Sequence, residues 1–329
     1  MQPAILRLLT FHKSVRLTAN AFFILVALSG CASLVPQTMG LRETWPAGVT
    51  NRIELADVPF FPQQDYQCGP AALATTLAYA GAKVSSDELV SQVYLAARQG
   101  SLQADMLSAP RRYGIVSYPL APHFDDLLRE VAAGNPVIVL QNNGIGPFPN
   151  WHYAVVAGFD YPAGELHLRS GESRSLAVPF TIFEYTWKKA DYWAMVTLPP
   201  GRIPATATES GYLAAILAMA RVGDAAAVTL AYQTFLLRWP DNLTASIALA
   251  NIYYENGALR EAEALLRQAA EQHVDSVVVL NNLAQTISDQ GRNDEAWSLI
   301  ERAAQAKGPF AGVVSETREV ILQRMAKAR

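Results

Sequence analysis

The feature that most restricts what this chain can fold into is a spacing. Gly223, Gly257 and Gly291 stand 34 residues apart, as do Leu249 and Leu283, Ala250 and Ala284, Ala262 and Ala296, and Ala269 and Ala303. A fixed period over three units describes a stack, in which each unit buries its apolar face against the next. Around Gly257 the segments ASIALANIYYEN and ALREAEALLRQAA are both amphipathic. The unit is therefore expected to be two helices joined by a tight turn. Residues 292–329 would supply the last helix of the third unit and a capping helix.

The pattern resembles the tetratricopeptide repeat. Leu249, Ala250, Tyr253, Ala262, Leu266 and Ala269 match that family in the second unit, and Leu283, Ala284, Ala296 and Ala303 match it in the third. The first unit departs from it with Val228 in a small-residue place, but ends on Pro240 as the family does. The resemblance implies an all-α solenoid over 211–329, with a concave face for a protein partner. The competing expectation is an unrelated stack of helical hairpins.

The other end of the chain reads as an address. Arg7, Lys13 and Arg16 give a basic start, and LTANAFFILVALSG over 17–30 is apolar and uncharged. That is the layout of a secretory signal peptide, and the run is short for a membrane span. It ends at Leu28-Ser29-Gly30-Cys31, which resembles the bacterial lipobox. The resemblance implies removal of residues 1–30, lipid on Cys31, and, with Ala32 next, an outer-membrane anchor facing the periplasm. The alternative is an uncleaved anchor with an incidental cysteine. Residues 31–52, with Pro36, Gly40, Pro46 and Gly48, read as a tether.

Composition excludes several classes. The net charge is −3, and the first thirty residues hold three of the bases and no acid. The acidic body that remains lacks the basic face of a nucleic-acid binder. Two cysteines in 329 residues exclude a disulfide framework, an iron–sulfur cluster and a thiolate zinc knuckle. Neither an HExxH helix nor a phosphate-binding GxxxxGK[ST] loop occurs.

Between the tether and the repeats, residues 53–200 form one further unit. CGPAALATTLAYAG (68–81), SSDELVSQVYLAAR (85–98) and HFDDLLREVAAGN (123–135) carry helix start and stop residues. PVIVLQN (136–142), WHYAVVAGF (151–159), ELHLRS (165–170) and YWAMVTL (192–198) are β-branched and aromatic, and read as antiparallel strands. Helices followed by strands imply an α+β domain. Residues 201–210, poor in apolar period, read as a linker to the repeats.

Cys68 is the chemical focus. It opens an apolar helix, whose positive end favours thiolate. Gln63, five residues upstream, could donate to an oxyanion, with the Cys68 N–H as second donor. A thiol nucleophile needs a base. His123 reads as a capping-region residue, His167 as a solvated strand residue, and His273 as part of a repeat-to-repeat turn. His152 opens the strand WHYAVVAGFD, where an imidazole can be held rigidly and still reach solvent.

VPFFPQQDYQCGPAAL followed by HYAVVAGFD resembles a papain-like cysteine peptidase of the bacteriocin-processing type, peptidase family 39 and its relatives. The resemblance covers residues 55–198. It implies Cys68 as nucleophile, His152 as general base and Gln63 as oxyanion donor, with no metal or organic cofactor. The family presents Asp or Asn on the next strand; here GELHLRSGESRS places Ser170 there, without charge. Asp160 lies too far along the strand from His152 to replace it. The expected function is a membrane-anchored periplasmic cysteine peptidase, acting on a peptide or protein, with repeats for partner or substrate docking. The alternatives are a catalytically retired fold that binds peptides or proteins, and acyl transfer to an amine. Helix start and histidine together lead to an expected Cys68 pKa below that of a free cysteine.

Overall fold

The computed structural model describes residues 34–63, 67–306 and 308–327. The expected signal peptide and Cys31 lie outside the described residues. The chain divides into two units. One takes in residues up to Ala109 with Pro119–Thr197 and Pro204–Thr206; the other takes in Pro110–Tyr118, Leu198–Ile203 and the chain from Ala207.

In chain order the first part contains α1 (Pro36–Glu43), β1 (Arg52–Glu54), α2 (Cys68–Tyr79), α3 (Ser86–Val93), β2 (Tyr94–Leu95) and β3 (Gly100–Ser101). Then come α4 (Gln103–Ser108), β4 (Val116–Pro119), α5 (Phe124–Ala132), β5 (Val137–Asn142) and β6 (Trp151–Asp160). They are followed by β7 (Glu165–Ser170), β8 (Ser173–Pro179), α6 (Phe180–Lys188) and β9 (Ala194–Leu198). The first unit is built on an antiparallel sheet in which β9, β5, β6, β7 and β8 are successive neighbours. β6 carries β5 along Trp151–Val156 and β1 along Gly158–Asp160. Its residues Tyr153–Phe159 are buried.

α2 is buried continuously from Gly69 to Leu77, which is why its sequence is apolar all round rather than on one stripe. Gly81, at φ +97°, ends the turn that follows, where a side chain would be strained. The expected helix over 85–98 is shorter. A capping box between Ser85 and Glu88 starts it, but it stops at Val93, and Tyr94–Ser101 folds into the β2–β3 hairpin. Gln99, at φ 48°, turns that hairpin. The strand expected from Tyr192 begins at Ala194, because Asp191 and Tyr192 are both left-handed, at φ 52° and 55°.

Residues 36–43, expected within a tether, form α1. Pro36 suits the first helical position. Glu184, fully buried on α6, accepts hydrogen bonds from Gln37 N at 2.9 Å and Thr38 N at 2.6 Å. A carboxylate here satisfies free helix donors and complements the positive end of the dipole.

The second unit contains α7 (Glu209–Met219), α8 (Ala225–Arg238), α9 (Leu243–Glu255), α10 (Leu259–Gln272), α11 (Val277–Asp289), α12 (Asn293–Ala304) and α13 (Ala311–Lys327). Three buried columns repeat every 34 residues: Val228, Ala262 and Ala296; Tyr232, Leu266 and Ile300; Phe235, Ala269 and Ala303. The first repeat fills the same positions with larger groups, and Phe235 lies 4.8 Å from Trp239 and 6.2 Å from Tyr212, ring to ring. Gly257 (φ +74°) and Gly291 (φ +85°) make the tight turns. Asp224, Asn242 and Ser276 cap α8, α9 and α11. Glu263 of one repeat pairs with Arg292 of the next, and Arg267 pairs with Glu295.

Candidate active site

Cys68 is the first residue of α2 and is half-buried. No side chain caps this helix, and Pro70 has no N–H. The N–H groups of Cys68 and Gly69 are therefore donors without helical acceptors. Both bear on the Cys68 sulfur, together with the N–H of Tyr153 from β6. Burial is the larger influence and pushes the thiol pKa up, while these three donors pull it down by less. This corrects the expectation of a lowered thiol pKa. The helix start and donors are present, but desolvation of the charged form outweighs them.

α2 begins against β3. A Cβ on Gly69 would stand 2.2 Å from Ser101 Oγ, so the residue after Cys68 has no room for a side chain. Gln63 is held at two points: its N–H donates to Gly171 O at 3.1 Å, and its Nε2 donates to Tyr153 O at 3.4 Å. Tyr153 is thus a junction. Its backbone N–H meets the Cys68 sulfur and its carbonyl meets the Gln63 amide.

His152 precedes that junction by one residue and opposes Gln141 of β5. Its Nε2 lies 2.8 Å from Ser170 Oγ, at the end of β7. Burial lowers the His152 pKa, so the neutral ring is favoured. A carboxylate or amide oxygen could only accept from Nε2. A serine hydroxyl can donate or accept, so it leaves the tautomer open. The ring is a base at Nδ1 only when Ser170 accepts.

A cleft of about 680 Å³ opens at Cys68. Its walls come from the β2–β3 hairpin and the two residues after it (Arg98–Gln103), from Pro149–Trp151 and Tyr153, and from Lys189–Asp191 after α6. Gln99 and Asp191, two of the left-handed non-glycine residues, stand in these walls. Ser101 Oγ is buried without a hydrogen-bond partner.

The sequence points to Cys68, Gln63, His152 and Ser170, and the structure brings all four segments to the Tyr153 end of β6. It does not bring the other candidates there. Asp160 pairs with Arg52 at 2.7 Å, and His167 Nδ1 lies 2.6 Å from Glu54. His123 is the N-cap residue of α5, and His273 Nε2 meets Asp241 O at 2.9 Å. Sequence reasoning misses Tyr153, Ser101 and the Lys189–Asp191 wall. The Asn143-Gly144 and Gly146-Pro147 pairs marked the β5–β6 turn, but nothing local marked the other walls. Among the described residues no group of three or more His, Cys, Asp or Glu could hold a metal.

The fold and this site define the class: an α+β domain with a cysteine at a helix start and a histidine on a central strand, followed by helical repeats. Residues 55–194 match the family described as Peptidase_C39 like, and residues 220–280 match a tetratricopeptide repeat. The chain thus carries a C39-like peptidase domain followed by tetratricopeptide repeats. Among solved structures it is similar to a putative C39-like peptidase from Bacillus anthracis: 19% identity, 45% of this chain, 98% of that one, TM-score 0.40. It is also similar to a double glycine motif protease from an AMS/PCAT transporter in complex with the leader peptide: 21% identity, 43% and 91% of the chains, TM-score 0.33. The repeats are similar to the TPR2B domain of yeast Sti1 in a pHsp70 complex: 16% identity, 35% and 97%, TM-score 0.33. No curated protein matches the chain.

Proposed function

We propose that this protein is a cysteine peptidase, anchored by a lipid on Cys31 to the outer membrane and facing the periplasm. Its repeats would dock a protein partner or substrate. The observation that carries the peptidase reading is convergence on Tyr153. Cys68 meets its N–H, Gln63 meets its carbonyl, and the adjacent His152 is held by Ser170.

The reaction follows from these positions. Neutral His152 takes the thiol proton at Nδ1, and the Cys68 sulfur attacks the carbonyl carbon of a peptide bond. The developing oxyanion accepts from the Cys68 N–H and from the second N–H of the Gln63 amide. The imidazolium returns its proton to the departing amine. A water, deprotonated by His152, then cleaves the thioester, releasing the acid and restoring the thiol. The steps need neither metal nor organic cofactor. Burial favours the neutral thiol and the neutral ring, which supports a proton transfer that accompanies attack rather than preceding it.

A peptide carrying a thiol-reactive warhead tests this reading. Covalent labelling of Cys68 in the intact protein, lost in His152→Ala, is the expected result. No labelling and no turnover would assign the domain to peptide or protein binding instead. Turnover that rises when an amine acceptor is added would assign acyl transfer. Comparison of periplasmic protein termini between wild type and Cys68→Ala cells identifies the substrate.

A further inference from the structure

The β5–β6 hairpin exposes apolar surface that the fold does not require. Ile145 is 86% exposed, Phe148 79% and Trp151 52%. The loop is braced. Asn142 Oδ1 accepts from Gly144 N at 3.0 Å and from Asn150 N at 2.9 Å. Ile145 and Phe148 form a β-bridge, and Lys189 Nζ donates to Gly144 O at 2.9 Å. A Cβ at Gly144 would stand 2.0 Å from Phe148 O, so only glycine closes the turn. From Pro136 to Phe159 the chain contains no Asp, Glu, Lys or Arg. Large apolar side chains on a rigid tip whose own residues carry no charge, with a tryptophan at its base, suit the boundary of a bilayer.

α1 runs away from the hairpin: Leu41 O accepts from Tyr161 Oη beyond the far end of β6, and Thr38 Oγ1 donates to Phe180 O at the start of α6, so its N-terminus is the end nearer the hairpin. The first turn of α1 sits on Glu184 of α6 through Gln37 N and Thr38 N. Lys189, which holds the hairpin, is only about 7.5 Å further along that helix axis. Gln141 Nε2, on the strand that rises into the hairpin, donates to Thr186 Oγ1 at 2.7 Å on the same stretch. Cys31 precedes Pro36 by so few residues that extended chain spans at most about 17 Å.

We propose that Ile145, Phe148 and Trp151 enter the bilayer interface beside the lipidated N-terminus. The hairpin is then a second membrane contact, which orients the domain rather than merely tethering it. Pro149, Asn150 and Trp151 also line the Cys68 cleft, so this orientation opens the cleft at the membrane surface. The inference rests on the lipid at Cys31 proposed above.

The test uses the full lipidated chain reconstituted into phosphatidylethanolamine and phosphatidylglycerol vesicles with brominated acyl chains. Bromine quenches tryptophan that reaches the bilayer. Quenching relative to plain vesicles is expected, with most of it lost in Trp151→Phe. Ile145→Ser with Phe148→Ser should at least halve it, while melting and flotation with the vesicles are unchanged, since both side chains are exposed. A chain that floats with the vesicles and shows no Trp151-dependent quenching overturns the hairpin contact alone. A chain that does not float overturns the lipid anchor, and the hairpin contact with it. If the double variant keeps full quenching but raises KM for peptides, the hairpin docks peptide and the proposal is wrong.

Discussion

The two units solve the same problem, burial of an apolar core, in opposite ways. In the repeats each core position recurs at a fixed interval, as Tyr232, Leu266 and Ile300 do, and the helices pack on neighbours close in sequence. In the peptidase unit, β6 is flanked by β5, β7 and β1, and its site joins Gln63, Cys68, His152 and Ser170 from four segments. A repeat can lose one layer without altering the next layer's design, whereas the site fails with any segment. The difference teaches where function is concentrated: precise geometry in the first unit, extended surface in the second.

The sharpest break in that comparison is removal of the Cys68 thiol or the His152 ring. Cys68→Ala and His152→Ala should each abolish turnover while thermal melting of both units stays near wild type. Melting that collapses with activity would show that the pair is structural.

Leu266→Ala should destabilise the repeats by about 2–5 kcal/mol, the cost of emptying a fully packed leucine site. Denaturant unfolding followed by helical signal reads this. Hydrolysis of a short peptide should persist in the variant, and partner capture should be lost. Equal loss of short-peptide hydrolysis would mean that the units are not energetically separable.

Two smaller effects grade the site itself. Gln63→Ala should lower kcat about 100-fold, the usual cost of one oxyanion donor. Ser170→Ala should cost less, because Ser170 orients the ring without stabilising its charge. Ser170→Asp should raise activity, since a carboxylate accepts from Nε2 and selects the tautomer with a free Nδ1. An unchanged rate in both Ser170 variants would remove this residue from the mechanism.

The smallest effect is a shift along the pH axis. Burial raises the Cys68 pKa and lowers that of His152, so the folded protein favours the neutral pair. Alkylation of Cys68 should therefore rise only above the ordinary cysteine range of about 8.5. Ser170→Asp should bring the profile down. The stability from the neutral imidazole is present above about 6.5 and is lost as pH falls through the lowered His152 pKa. The stability from the neutral thiol is present below about 8.5 and is lost as pH rises through the raised Cys68 pKa. An alkylation profile already on its plateau at neutral pH would restore the thiolate–imidazolium pair that the sequence suggests.

What the sequence determines by itself is whatever has a local signature. The 34-residue period carries the repeats, because each unit's buried positions and its turn glycine are dictated within one period. Cys68 at the head of an unbroken apolar helix, and His152 at the mouth of a β-branched strand, are legible for the same reason. The tertiary structure alone decides the rest. α1 is a helix because a buried carboxylate, Glu184, distant in sequence, receives its first N–H groups; by sequence that segment is only a Pro- and Gly-containing stretch. The cleft wall at Asp191 and Tyr192 is a left-handed turn ahead of β9, where the β-branched and aromatic pattern of the sequence already reads as strand from Tyr192. The Cys68 pKa runs opposite to expectation, because a helix start is visible in a sequence while desolvation depends on what else packs around the sulfur.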